Sequence, residues 1–279
     1  MAYDLPFLAR QFRTQGEVTK IAPIPVGHIN DTYLVATAGN RYVLQRINHY
    51  VFKKPVQVMA NVVRITEHIR AKMTAEKKRG HSSFSRGTEK SPGRATGKRN
   101  EECPHFRQLE VIAARDGGGY YQDADGNVWR MYNFIENAVT YDSLQSAPLA
   151  REGARMFGWF QRMLIDLPGP PLYETIVDFH NTPRRWERFQ EVVKADAAHR
   201  ASSAKAEIDY AFEHATICHT LFDLVKQGAI PVRTAHNDAK INNVMFDTST
   251  REGVCVIDLD TVMPGLSAYD FGDLVRTAT

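Results

Sequence analysis

One stretch close to the C-terminal end constrains the fold of this chain more than any other: HNDAKINNVMFDTSTREGVCVIDLDTVMPGLSAYDF. Within it, two apolar runs, residues 244–246 and 254–257, flank a polar segment that contains a glycine, and this pattern predicts a β-hairpin. A hairpin of this length brings its two ends together. Asp238 and Asn243, before the first strand, are therefore expected to lie near Asp258, after the second.

The residues at the ends of this hairpin suit phosphoryl transfer, which needs an oriented acceptor oxygen and cations beside the phosphates. Asp238 is positioned to take the proton of an acceptor hydroxyl. Asn243 and Asp258 offer hard oxygen ligands of the kind that Mg²⁺ prefers. Asp260 is a candidate ligand for a second Mg²⁺ or a residue that only orients the loop. The pattern combines the catalytic and metal loops of a kinase and predicts ATP and Mg²⁺ as cofactors.

The segments HNDAKINNV and VIDLDTVMPGLSAYDFGD resemble the catalytic core of the aminoglycoside phosphotransferase and choline kinase superfamily. In finer detail they are similar to the N-acetylhexosamine 1-kinases, and the resemblance covers most of the chain outside residues 72–107. It implies an α+β, protein-kinase-like fold with two lobes. A β-rich lobe at residues 1–135 would bind nucleotide, and a mainly helical lobe at residues 136–279 would carry catalysis and acceptor binding.

The activity that this resemblance implies is the transfer of the ATP γ-phosphate to a small-molecule hydroxyl. The expected acceptor is the anomeric hydroxyl of an N-acetylhexosamine or a hexose, which gives a sugar 1-phosphate. Two alternatives stay open. One is a kinase of another small acceptor, such as choline, an aminoglycoside or homoserine. The other is a nucleotide-binding fragment without turnover.

The bulk composition is that of an ordinary globular protein, with 43% apolar and 24% charged residues and a net charge of +3. This balance gives no reason to expect a nucleic-acid partner. The three cysteines are scattered and predict no disulfide framework or metal site. The N-terminal sequence MAYDLPFLARQF has no long apolar run, so we expect neither a signal peptide nor a membrane partner, and a cytoplasmic location.

Three strands are predicted in the N-terminal part, at residues 18–25, 32–37 and 42–47. The loop between the first two contains Gly27 and Asn30, where a glycine and small polar residues let main-chain N–H groups approach phosphates. A plain hairpin turn is the alternative. In the sugar kinases that the chain resembles, this loop also faces the acceptor, which makes Asp31 a candidate substrate contact.

The third strand raises a difficulty, because kinases carry a lysine there that holds the nucleotide phosphates. This chain reads YVLQRI instead. Gln45 and Arg46 face opposite sides of the strand, and the sequence leaves open which one faces the nucleotide. Arg46 keeps a charge and a phosphate-matching shape, so it is the candidate cofactor contact. Glu67, on a helix predicted at residues 55–72, is either its partner or a solvated residue.

A strand at residues 109–113 and a hairpin at residues 120–135 are predicted to complete the sheet. In the superfamily that the chain resembles, main-chain groups just after the last strand hydrogen-bond the adenine. The resemblance therefore implies that Asn133, Phe134 and Ile135 bind the cofactor.

Helices are predicted at residues 149–164, 182–196 and 204–227, the last with an apolar stripe typical of core. A polar element before the second of these resembles the acceptor side of the sugar kinases. It makes His180, Asn181 and Arg184 candidate substrate contacts, although a capping role for Asn181 is the alternative.

Three residues around the hairpin have roles that only the resemblance implies. Lys240 is expected to neutralise charge on the transferred phosphoryl group and so to contact substrate. His236 is expected to pack rather than react, and Asp270 to brace the catalytic loop.

Residues 72–100 hold nine Lys or Arg against two Glu and no Ile, Leu or Val. This composition predicts disorder. The stretch is interpreted as an inserted loop, with a basic arm or a local reading-frame error as alternatives. The chain ends at Thr279, whereas the proteins it resembles continue with further helices. We therefore expect a partial sequence or a shortened form.

Overall fold

A computed structural model of the chain describes residues 3–25, 29–78, 106–143 and 146–278. Its N-terminal region is a five-stranded antiparallel sheet with strand order β1-β2-β3-β5-β4. The strands are β1 Val18–Pro23, β2 Asp31–Thr37, β3 Arg41–Arg46, β4 Tyr121–Gln122 and β5 Val128–Asn133. The three predicted N-terminal strands and the hairpin of residues 120–135 are confirmed, with β1 two residues shorter than expected.

The two faces of this sheet bury different clusters. One face carries Leu44 and Met131 and packs on the short helix α1, Leu5–Ala9. The other face carries Ile47 and Val128 and contributes to a core that continues into the second region. Because side chains alternate along a strand, Gln45 faces this second core and Arg46 faces the first.

Helix α2, Pro55–Lys78, joins the two regions. Val58, Val62 and Ile65 lie in the same buried cluster as residues of the second region. The helix extends past the predicted end at residue 72, because residues 72–78 are helix formers that continue its pattern without a stop signal. The prediction of disorder was therefore wrong for these seven residues, and the basic residues 79–105 lie outside the described part.

The second region is mainly helical. Its helices are α3 Ala147–Leu164, α4 Thr182–Ala195, α5 Lys205–Glu213, α6 Ile217–Lys226 and α7 Ser267–Ala278. Two small sheets complete it, β6-β8-β9 with strands Ala138–Val139, Val244–Asp247 and Gly253–Val256, and β7-β10 with strands Arg233–Ala235 and Met263–Gly265. Strands β8 and β9 pair antiparallel, which confirms the hairpin. The mixed fold with a β-rich and a helical part is as predicted.

The single helix predicted at residues 204–227 was wrong. It divides into α5 and α6, and at the break the ring of His214 hydrogen-bonds the carbonyl of Tyr210 at 2.8 Å. Its apolar stripe is not core, because neither α5 nor α6 has a fully buried residue. Phe212 packs against Trp186 of α4, so the three helices mostly cover one another.

Residues 109–113 do not form the predicted strand. They run beside β5, but the structure records one isolated bridge, between Val111 and Tyr132. The side chain of Asn133 explains the difference. It accepts from the N–H of Glu110 at 2.7 Å and donates to the carbonyl of Gln108 at 3.0 Å, so a side chain replaces ladder bonds between main chains.

Candidate active site

The loop between β7 and β8 has an unusual backbone at Asn237, where φ is +64°. Asparagine tolerates this left-handed conformation better than most residues. Its side-chain nitrogen donates to three carbonyl groups, those of Ala235, Thr261 and Met263, at 3.0–3.2 Å. The buried side chain of Asn237 therefore ties the loop to the segment that follows β9.

The same loop is also held by the side chain of Asp270 of α7, which is 2% exposed. Its carboxylate accepts from the main-chain N–H groups of His236 at 3.0 Å and Asn237 at 2.8 Å, and from Gln161 of α3 at 2.7 Å. The expectation that Asp270 braces this loop is confirmed. His236 is fully buried, packs edge-on against Phe157 and hydrogen-bonds the carbonyl of Ile257 at 3.0 Å, as expected for a packing residue.

Asp238 follows directly and is partly exposed. The amide nitrogen of Asn243 donates to the Asp238 main-chain oxygen at 2.8 Å and to its carboxylate at 3.1 Å. The ammonium group of Lys240 lies 2.9 Å from the same carboxylate. The three residues that the sequence placed on this loop thus form one contact group.

Asp258 opens the short 3-10 turn after β9, with φ +61°. Asp258 is exposed to solvent, although the surrounding protein is close enough to desolvate its carboxyl group. Desolvation raises the pKa of its carboxyl to about 6, with the negative charges of Asp260 and then Asp238 adding to the rise and Arg130 opposing it. The sequence-predicted carboxylates are therefore close enough to repel one another.

The side-chain oxygens of Asn243 and Asp258 suit a hard cation that binds together with phosphates. In the described part of the chain no hydrogen bond reaches the side-chain amide oxygen of Asn243, whose side-chain nitrogen makes the contacts to Asp238. Asp258 contributes an accessible oxygen in a field of like charge, which a cation would relieve. No group of three His, Cys, Asp or Glu side chains among the described residues is arranged to hold a metal. Mg²⁺ typically binds through one or two carboxylates plus phosphates and water.

The carboxylate of Asp260 already has partners within the protein. It is 1% exposed and forms a buried, bidentate ion pair with Arg130 of β5, in which Nη2 lies 2.9 Å from Oδ2. The amide of Asn30 donates to the same Oδ2 at 2.8 Å. The second of the two roles expected for Asp260, orienting the loop, matches these contacts better than metal binding does.

Comparison with known proteins supports the kinase pattern. The model of the Phosphotransferase enzyme family, APH, matches residues 20–279. The chain belongs to this family. It is a small-molecule phosphotransferase with a hydroxyl group as acceptor.

Solved structures similar to this phosphotransferase have low identity and show the shared fold. An aminoglycoside phosphotransferase from Alicyclobacillus acidocaldarius matches with TM-score 0.55 and 12% identity over 99% of this chain and 71% of that one. A microcompartment-associated aminopropanol kinase matches with TM-score 0.54 and 16% identity over 97% and 73%. An aminoglycoside phosphotransferase in a ternary complex with ADP and hygromycin B matches with TM-score 0.50 and 12% identity over 92% and 72%.

The choice between Gln45 and Arg46 of the phosphotransferase is resolved by the sheet. Gln45 shares a face with Arg130 and accepts from its Nε at 3.0 Å. Arg46 lies on the opposite face, where its Nε donates to Asp31 at 2.7 Å. The structure therefore does not bring Arg46 or Asp31 to the side of Asp258, and Gln45 occupies the side expected of the missing lysine.

Arg130 is the residue that sequence reasoning missed. A signal was present, because VWRMYN places an arginine at an alternate position of a strand whose other residues, apart from the terminal Asn133, are apolar or aromatic. A charged residue buried in a strand needs a partner of opposite charge. Local pattern does not reveal that the partner is Asp260.

Two of the three main-chain N–H groups at the end of β5 already make hydrogen bonds within the protein. The N–H of Asn133 donates to the main-chain carbonyl of Glu110 at 3.1 Å, and that of Phe134 donates to the main-chain carbonyl of Arg41 at 3.1 Å. Within the described residues, no hydrogen bond is recorded from the N–H of Ile135. Of the three candidates for adenine, Ile135 is the one with an available main-chain donor.

The polar element before α4 makes internal contacts. Asn181 caps α4 by accepting from the N–H of Arg184 at 3.1 Å. Arg184 pairs with Asp178 and is largely exposed. His180 hydrogen-bonds the carbonyl of Asn237 at 2.8 Å and stacks on Tyr269. The structure thus links His180 to the catalytic loop and gives Asn181 the capping role.

Two further candidates have a simple outcome. Gly27 lies outside the described residues. Glu67 is exposed, and its side chain forms no ion pair within the described part of the chain, in agreement with the solvated alternative.

Among the described helices, none has the length and apolar character needed to cross a membrane.

Proposed function

We propose that this phosphotransferase moves the γ-phosphate of ATP to the anomeric hydroxyl of an N-acetylhexosamine or a hexose. The observation that carries the catalytic part is the contact group of Asp238, Lys240 and Asn243 beside the accessible carboxylate of Asp258. The choice of acceptor rests on the similarity of HNDAKINNV and VIDLDTVMPGLSAYDFGD to the N-acetylhexosamine 1-kinases.

In this proposal Asp238 orients the acceptor hydroxyl and takes its proton as the oxygen forms a bond to the γ-phosphorus. The bond from that phosphorus to the β-phosphate oxygen breaks, and ADP leaves. Asn243 and Asp258 hold Mg²⁺, which when bound neutralises charge on the phosphates. Lys240, released from Asp238 by the incoming substrate, stabilises the transferred group.

The charges next to Asp238 do not decide between a neutral acceptor and an amine. Lys240 contacts the Asp238 carboxylate directly, and Arg276 interacts with it electrostatically. Arg276 is itself paired with Asp273, and the carboxylate of Asp258 adds a further negative charge nearby. The choice of a sugar acceptor therefore rests on the sequence similarity, and the acceptor panel tests it.

The proposal is tested by ADP release from MgATP with GlcNAc, GalNAc, plain hexoses, choline, homoserine and an aminoglycoside as acceptors. We expect release that depends on an N-acetylhexosamine or a hexose. Release with an amine acceptor alone would contradict the sugar assignment, and silence on all of them with folded protein would favour a fragment without turnover.

A further inference from the structure

A buried polar network crosses from the sheet to the loop that carries Asp258. At its centre, the guanidinium of Arg130 has 2% exposed surface and pairs with both oxygens of Asp260. Its Nε donates to Gln45 at 3.0 Å, and Gln45 in turn donates to Thr32 at 3.1 Å. Strands β2, β3 and β5 thus all contribute to one contact with the second region.

The network has a second connection to the same carboxylate. Asn30 donates to Asp260 at 2.8 Å, and its own carbonyl oxygen accepts from the main-chain N–H of Asn48 at 3.0 Å. Asp260 therefore receives hydrogen bonds from two separate segments of the N-terminal region, although it lies only two residues after Asp258.

These contacts fix a strained part of the backbone. Asp258 has φ +61°, in the left-handed region that non-glycine residues seldom occupy. The turn that follows is held on one side by Arg130 and on the other by Thr261, whose hydroxyl donates to the carbonyl of His236 at 2.9 Å. Such a conformation persists where the surroundings determine it.

We propose that Arg130 is a positioning residue for metal binding, which acts by holding Asp260 and thereby fixes the direction of the Asp258 carboxylate. All three guanidinium nitrogens of Arg130 donate to Asp260 or Gln45, and its side chain is only 2% exposed, so it acts through the loop. The proposal rests on the proposed function only in taking Asp258 as a metal ligand.

The matched control is another arginine that joins the two regions without touching this loop. Arg64 of α2 donates from its Nε to the carbonyl of Pro168 at 3.2 Å and from its Nη2 to that of Pro170 at 2.6 Å. Arg64→Met removes a contact between the two regions that is more exposed and is made to main-chain carbonyls, not to a carboxylate. A general loosening of the lobes would affect both variants, whereas a loss of positioning affects only Arg130.

The first measurement is the Mg²⁺ concentration that gives half-maximal binding of a non-hydrolysable ATP analogue, with binding measured by calorimetry. We expect Arg130→Met to raise it by about 10- to 100-fold, the usual effect of removing a residue that orients a metal ligand. Arg130→Lys, which keeps the charge but not the fork, should lie between Arg130→Met and the parent. Arg64→Met should match the parent. Arg130→Lys carries the test alone if Arg130→Met does not fold.

The second measurement needs no metal or nucleotide. Hydrogen exchange of the amides at residues 257–263 should be faster in Arg130→Met than in both the parent and Arg64→Met. Unchanged exchange together with unchanged Mg²⁺ dependence would overturn the proposal. Tighter Mg²⁺ binding in Arg130→Met would also overturn it, because Asp260 would then be a metal ligand that Arg130 withholds.

The two proposals fail in different ways. If the parent binds no nucleotide at any Mg²⁺ concentration, the proposed function fails, and the exchange experiment still tests the contact of Arg130. If the parent binds normally and the Arg130 variants do too, only the positioning role fails.

Discussion

The proposed catalytic loop, residues 236–243, and the proposed metal loop, residues 258–261, are hydrogen-bonded to each other, but the rest of their support comes from different parts of the molecule. The catalytic loop is fixed by α3, α7 and β10 of the second region, through Gln161, Asp270 and the carbonyl of Met263. The loop with Asp258 is fixed largely by the N-terminal region, through Arg130 and Asn30, and by Asn61 of α2, which donates to the carbonyl of Val262 at 3.2 Å.

This difference predicts that the supports of the two loops can be altered separately. Substitutions that disturb the support of the Asp238 loop should lower kcat without changing the contacts of Arg130 and Asn30. Substitutions in the network of Arg130 should first weaken the proposed Mg²⁺ binding. The predictions below test this separation, in order of decreasing effect.

Asp238→Asn has the largest expected effect on the rate. An amide cannot take the acceptor proton, so kcat should fall by about 10²- to 10⁴-fold, the range for a lost general base. Affinity for the Mg²⁺–nucleotide should change little, because Asn243 and Asp258 remain. Asp247→Asn, at the opposite end of β8 from Asn243, is the control and should keep its rate. A kcat for Asp238→Asn close to that of the parent protein, measured by steady-state kinetics, would contradict the proposal that Asp238 accepts the proton.

Asp270→Ala should destabilise the protein and slow it. Two buried main-chain donors and the partly buried amide of Gln161 lose their acceptor, and we expect a loss of about 3 kcal/mol in the free energy of unfolding. Asp273→Ala, which removes only an ion pair with the exposed Arg276, should cost less than about 1 kcal/mol. Urea unfolding measures both. Equal losses in the two variants would mean that Asp270 does not hold the catalytic loop.

Gly265→Ala tests the packing of β10 against the catalytic loop. A Cβ at this position would lie 2.3 Å from the side-chain oxygen of Asn237 and 3.1 Å from the Cβ of Ala235. We expect a loss of about 1–3 kcal/mol and a lower kcat with unchanged Mg²⁺ dependence. Gly272→Ala is the control, since a Cβ there meets nothing within 4 Å, and a helix favours alanine. A stability for Gly265→Ala equal to that of Gly272→Ala would contradict this packing.

Asp258→Asn should have the smallest effect on stability. Unlike the preceding variants, it should stabilise the protein. Because desolvation raises the pKa of Asp258 to about 6, the folded state holds the proton more tightly than the unfolded chain. Stability from this group is complete below its usual pKa near 4 and is lost as pH rises toward 6. In metal-free buffer Asp258→Asn should remove this loss and raise Tm slightly at pH 7, by about 1–3 °C after solvent screening.

The opposite sign is expected for Asp247. Hydrogen bonds from the main-chain N–H groups of Thr250 and Ser249 hold its pKa below the usual value. Its contribution is therefore present above the usual pKa and lost as pH falls. Melting curves of Asp247→Asn should show a lower Tm at pH 7 and a smaller difference at pH 3. If Asp247→Asn and Asp258→Asn respond to pH in the same direction, the charge arrangement described for Asp258 is wrong.

Local pattern was sufficient for the centre of the site. The hairpin of β8 and β9 follows from two apolar runs and a turn, and it alone brings Asn243 toward Asp258. The bracing role of Asp270 was inferred from the resemblance to the superfamily, and the contacts of its carboxylate confirm it.

The interlobe contacts could not be predicted in this way. Arg130 and Asp260 are far apart in sequence, and only the assembled fold gives each of them a partner. The same holds for α5 and α6, where an apolar stripe predicted core. Burial of such a stripe depends on which elements pack against it, and here that is mainly α4.

The product formed from MgATP and N-acetylglucosamine tests the central claim most directly. Phosphorus NMR of the reaction, with Asp238→Asn in parallel, distinguishes an anomeric phosphate from any other ester. We predict a resonance coupled to the anomeric proton, loss of the reducing end, and neither change with the variant. A phosphate at another hydroxyl, or free phosphate alone, would contradict the assignment of this protein as a sugar 1-kinase.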